Sequence, residues 1–124
     1  MSSDLRQTLG RLGEELALEH LERLGYRLLA RNHRTRFGEL DLIVCDDATI
    51  VFVEVKARRI DAGAGTAVEA VPPRKQRQVR GMAAAWLVES DDRPRAAELR
   101  FDVVAVTVDR AGRLVRLDHL EAAF

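Results

Sequence analysis

The runs Glu39-Leu40-Asp41-Leu42-Ile43-Val44-Cys45 and Ile50-Val51-Phe52-Val53-Glu54-Val55-Lys56-Ala57 flank the polar turn Asp46-Asp47-Ala48-Thr49. Two β-forming runs joined by so short a polar segment predict a hairpin. If the turn pairs Cys45 with Ile50, side-chain alternation sorts the residues onto two faces. Val44 and Val51, Leu42 and Val53, Leu40 and Val55 then share one face. That face is wholly apolar and must be packed against a helix. On the other face Cys45 meets Ile50, Ile43 meets Phe52, Asp41 meets Glu54, and Glu39 meets Lys56. Three carboxylates and one amine are thereby gathered at one end of one face.

Such a gathering is poor for stability. Like charges opposed across strands repel by roughly 0.2–1 kcal/mol, and Asp is a weak strand former. A surface ion cluster neutralised by Lys56 is one reading. A bound divalent cation explains more, because Asp41 and Glu54 offer the hard oxygens that Mg2+ prefers. Lys56 points the same way and could stabilise charge on a reacting phosphate or orient an attacking water.

Outward from the hairpin, residues 5–24 have helical periodicity ending at Gly25, a C-terminal capping glycine. Leu12, Leu16, Ala17, Leu18, Leu21 and Leu24 form a broad apolar arc. Glu15, Glu19 and Glu22 fall on the polar side, whereas Glu14 projects between Leu18 and Leu21. A carboxylate on an inward face usually has a charged or metal partner. Gly10 and Gly13 would let this helix approach the sheet closely. Tyr26 to Arg31 is predicted as a first strand, and 61–66 as a flexible loop. Pro72 and Pro73 introduce a second helix running to Glu89. Its apolar stripe is Val79, Met82, Ala83 and Trp86, with Lys75 along it and Gln76 at its margin. Both are expected to face the sheet near a helix N-terminus that favours phosphate. Leu99 to Val108 is a strong strand, and Arg113 to Leu117 a short edge strand after the turn at 109–112. The order αβββαβ is that of a single α/β domain over residues 1–124, its mixed sheet flanked by helices.

The 124 residues are 47% hydrophobic and 32% charged, an ordinary globular composition. No apolar run approaches the ~20 residues of a membrane span, and no export signal is evident at the N-terminus, so a cytoplasmic protein is expected. The lone Cys45 sits in an apolar run and is expected to be an inert buried thiol. The net charge is +0, which argues mildly against a nucleic-acid partner. The average conceals three basic clusters, however: Arg31, Arg34 and Arg36; Lys56 to Arg59; and Arg74 to Arg80. From these Arg34, Arg36, Arg58, Lys75, Gln76, Arg77 and Arg80 are the candidate nucleic-acid contacts.

Gly38-Glu39-Leu40-Asp41, a 12-residue gap and then Glu54-Val55-Lys56, within an αβββαβ order, resembles the PD-(D/E)XK nuclease superfamily. The chain looks closest to the YraN-like family of small bacterial proteins. That resemblance spans nearly the whole chain: Gly10 to Glu14, Gly25-Tyr26, Arg31-Asn32, Gly38 to Ile43, Val51 to Arg58, Lys75-Gln76 and Arg100 to Val104. It implies a restriction-endonuclease-like fold, Asp41 and Glu54 as metal ligands, and Lys56 as the catalytic lysine. Glu14 is similar to an extra acidic residue of archaeal Holliday-junction resolvases, which makes it a third expected ligand. The usual proline before the aspartate is replaced by Leu40. Glu39 has no fixed superfamily role and is expected at or just beyond the metal, while Asp102 reads as structural.

The leading expectation is an endonuclease that uses Mg2+ or Mn2+ to hydrolyse DNA phosphodiester bonds, on branched or damaged DNA. The alternatives are a non-catalytic nucleic-acid-binding module or partner protein that retains the fold, and a protein adaptor whose ion cluster is purely structural. A symmetric cut at a junction would require a homodimer.

Overall fold

A computed structural model describes residues 3–61, 71–96 and 98–124. Helix α1 (Ser3–Arg23) is followed by β1 (Arg27–Thr35), β2 (Gly38–Cys45) and β3 (Thr49–Arg59). Helix α2 (Pro73–Glu89), β4 (Glu98–Val108) and β5 (Leu114–Leu120) complete the chain. The strands form one mixed sheet in the order β1-β2-β3-β4-β5. Only β3 and β4 run parallel; the other neighbours are antiparallel. This is the αβββαβ, restriction-endonuclease-like arrangement, extended by β5. The expected 61–66 loop falls almost wholly outside the described residues.

Each helix covers one face of the sheet. Ala17, Leu18 and Leu21 of α1 pack on Leu42, Val44, Val51, Val53, Val104 and Val106. Val79, Met82, Ala83 and Trp86 of α2 pack on Leu40, Ile43, Cys45, Ile50 and Phe52. Trp86 meets Phe52 edge to face, with ring centroids 5.9 Å apart. Cys45 is a fully buried free thiol. Helix α1 closes in a Schellman motif around Gly25 (φ +98), in which the Gly25 amide donates to Glu22 and the Tyr26 amide to Leu21.

Several expectations are corrected. The hairpin register holds for Cys45/Ile50, Val44/Val51, Ile43/Phe52 and Leu42/Val53, then ends. Asp41 is not paired with Glu54, nor Glu39 with Lys56. Leu40 leaves the apolar face assigned to it and joins the cluster under α2, so alternation breaks between Leu40 and Leu42. Leu24 lies beyond the helix and is 54% exposed. Gly13 makes the close approach, since a Cβ there would meet the Ala57 Cβ at 2.5 Å, but Gly10 faces open space. Strand β1 extends through the polar residues Asn32 to Thr35, and β5 through Asp118 to Leu120. Edge-strand backbones pair regardless of side-chain polarity, so hydrophobic alternation undercounts them.

Candidate metal centre

The acidic site forms where β2 and β3 part. Beyond Leu42/Val53 the Val55 amide donates to Asp41 Oδ2 at 2.9 Å. A carboxylate thus takes a ladder position, and the strands no longer continue as a plain hairpin. Asp41 is half-buried, and α1 brings Glu14 to the same place. Carboxylate oxygens of Glu14, Glu39 and Asp41 lie within 4.8 Å of one another. Glu54, whose side chain is 17% exposed, adds its charge to that of Asp41. Lys56 lies two residues further along β3 and its charge favours ionised Glu54.

Asn32 was expected only as part of a family motif, with no role. Its Nδ2 donates to both Glu14 Oε1 and Glu39 Oε1, each at 2.8 Å. Its backbone is left-handed (φ +49), a conformation that Asn tolerates better than most residues. This amide clamps two carboxylates that would otherwise repel each other. No local pattern marks such a residue, because its amide acts on carboxylates of two other elements.

Desolvation pushes the Asp41 pKa up from 3.8 to about 7, and the charges of Glu54, Glu14 and Glu39 add to the effect. The Val55 hydrogen bond opposes the rise without cancelling it. Burial also raises Glu54, against the pull of the Lys75 ammonium 3.5 Å from its Oε1 and of Lys56. The centre is therefore short of positive charge, and its donors are hard carboxylate oxygens suited to Mg2+ or Mn2+.

The basic candidates divide. Lys75 reaches the site through Glu54, as its helical phase suggested. Arg34 ion-pairs with Glu39 at 3.5 Å while remaining largely exposed. Arg58 is half-buried on β3, on the same face as Glu54 and Lys56 by strand alternation. Arg36 lies over the Phe37 ring and Arg77 is exposed on α2. Gln76 Nε2 donates to the Val71 carbonyl at 2.8 Å, tying down the entry to α2. Arg80 stacks over Phe101 and Phe124, at 4.7 and 5.6 Å from their centroids, and so has a packing role.

Asp102 is fully buried and structural in character. It accepts two hydrogen bonds from Arg100 at 2.9 Å, one from the Ala122 amide, and a contact from His119 at 2.8 Å. His119 in turn meets His20 of α1 at 3.0 Å.

The sequence model of Uncharacterised protein family UPF0102 matches residues 13–106, a span that includes every acidic residue of the centre. The chain belongs to the UPF0102 family. This is the YraN-like family that the motifs suggested. A UPF0102 protein of Pelotomaculum thermopropionicum is 47% identical over 122 residues, covering 98% of this chain and 99% of that one. Those of Mycobacterium avium and Mycolicibacterium smegmatis are 50% and 53% identical over 118 and 113 residues, each with 89% of the relative covered. No helix among the described residues is long and apolar enough to cross a membrane.

Proposed function

We propose that this UPF0102 chain is a divalent-metal-dependent endonuclease of the PD-(D/E)XK type, hydrolysing DNA phosphodiester bonds at branched or damaged structures in the cytoplasm. One observation carries the reading: Glu14 of α1 and Glu39 and Asp41 of β2 converge to within 4.8 Å at a break in strand pairing, with Glu54 and Lys56 of β3 beside them. A fold gains nothing in stability from assembling carboxylates there unless a cation is to be held. Asp41, Glu14 and Glu39 would hold Mg2+ or Mn2+, with Glu54 beside them as a further carboxylate donor. When bound, such an ion neutralises phosphate charge and lowers the pKa of water. Lys56 would stabilise charge developing on the phosphoryl group. Lys75 holds Glu54 in position, and Arg34, Arg36, Arg58 and Arg77 offer contacts to the phosphate backbone.

Cleavage of plasmid, linear, single-stranded, flap and four-way-junction DNA with each metal tests the reading. Glu54→Ala and Lys56→Ala should each lower the rate by about 100-fold or more. No cleavage of any substrate, or cleavage surviving both substitutions, overturns it. The Lys75–Glu54 ion pair favours one second reading, a nucleic-acid-binding module that retains the fold without catalysis; that reading expects binding without cleavage. Paired cuts across a branch require a homodimer. The exposed Leu114, Val115 and Leu120 of edge strand β5 support one.

A further inference from the structure

The turn between β1 and β2 carries Arg36 and Phe37 out beside the first half of α2. The Phe37 ring is 60% exposed, yet the backbone beneath it is pinned. Its amide donates to the Thr35 hydroxyl at 3.0 Å, and its carbonyl accepts from Gln78 Nε2. Gly38 follows at φ +138, so close to α2 that a Cβ would meet Gln78 Nε2 at 2.6 Å. An aromatic ring held in the open on a fixed turn is not there to be buried.

Two hollows flank the ring. One, of about 480 Å³, runs along α2 between Phe37 and Arg74, Arg77, Gln78, Gly81 and Met82. The other, of about 430 Å³, includes His33, Arg34 and Arg36. A Cβ at Gly81 would meet nothing within 4 Å, so the first hollow stays open where a side chain is missing. The Arg36 guanidinium sits 4.7 Å from the Phe37 centroid. Lys75, which reaches the acidic centre, lies one turn before Gln78 on the same helix. Neighbouring turns of α2 thus face the hollow and the acidic centre.

We propose that Phe37 and this hollow form a stacking site for an unpaired base of a DNA strand whose backbone continues to the acidic centre. The inference rests on the nuclease reading and deepens it by naming the substrate class: DNA with unpaired nucleotides rather than uniform duplex. An exposed aromatic face accepts any base, and the arginines around it supply positive charge for the neighbouring phosphates. Bases in a duplex are already stacked and present no free face to Phe37. The cationic rim of Arg36, Arg74 and Arg77 selects a polyanion over an apolar peptide.

Anisotropy titrations of labelled single-stranded and blunt duplex oligonucleotides, in EDTA and at fixed salt, test this. The wild type should prefer the single strand. Phe37→Ala and the hollow-filling Gly81→Phe should each weaken single-strand binding by about 10-fold, with duplex binding changed by less than about twofold. Phe37→Trp should retain the preference. A 2-aminopurine base in the single strand should be quenched by the wild type and not by Phe37→Ala. Single-strand binding unaffected by Phe37→Ala, or single-strand and duplex binding weakened alike, overturns the stacking site. Metal-dependent cleavage that persists in that case leaves the nuclease reading standing, whereas failure of every DNA form to bind or be cut removes both.

Discussion

At Asp41 the demands of folding oppose those of the proposed cation binding. Its carboxyl is desolvated among three other acids, and its pKa rises from 3.8 to about 7. Because the folded pKa is raised, the group contributes stability that is present below its unfolded pKa and lost as pH rises through about 7. Metal-free protein should therefore lose of the order of 2 kcal/mol from this group between about pH 5 and pH 8. Asp41→Asn should melt higher than the wild type at the alkaline end in EDTA, and Mg2+ should raise the wild-type Tm but not that of the variant. Parallel pH profiles for the two proteins would contradict this. Asn32 offers a second residue-scale test. Asn32→Asp replaces the clamping amide with another carboxylate and should destabilise by roughly 1–3 kcal/mol in EDTA, with partial recovery in Mn2+. Asp41, Glu54 and Lys56 were legible in the sequence because acids and an amine interrupt apolar strands at alternating positions. Asn32 and Phe37 were not. One acts through an amide reaching two distant elements, the other through being left uncovered, and neither property has a local pattern.

Among the elements, α1 was legible in phase because its burial follows the 3.6-residue repeat, and the same phase placed Glu14 inward. The β2–β3 register was legible only where both faces are apolar. It failed at Leu40, where Asp41 accepts the Val55 amide and alternation breaks, so the very residues that make the site disturb the rule used to find it. The glycines of α1 separate close packing from helix propensity. Gly13→Ala forces a Cβ to 2.5 Å from that of Ala57 and should cost about 1–3 kcal/mol. Gly10→Ala meets open space and should stabilise by about 0.5–1 kcal/mol. Urea midpoints of the two variants should move in opposite directions.

For the whole molecule, the α/β class and the two-helix cover followed from element order, while the full extent of β5 did not, because its last residues serve a polar network. Asp102 binds Arg100, His119 and the Ala122 amide, joining β4 to β5 and the C-terminal segment, and through His20 to α1. Burial alone would raise its pKa, but His119, Arg100 and the amide outweigh burial and hold it below 3.8. Its contribution is therefore present above the ordinary carboxylate range and lost as pH falls through the depressed value. Asp102→Ala leaves Arg100 without its buried partner and should cost about 3–5 kcal/mol by urea unfolding at neutral pH. The parallel pairing of β3 with β4 has a kinetic consequence. Thr49 must find Glu98 across the intervening α2, whereas β1, β2 and β3 can assemble as a local meander. Non-local pairing is slow because chain entropy is lost before contacts compensate, so the meander should form first. Glu39, Asp41 and Glu54 all belong to it, and their mutual repulsion would then already be felt in the folding transition state. In metal-free buffer Asp41→Asn should accordingly speed refolding and leave the unfolding rate almost unchanged, a chevron signature that a late-forming site would reverse.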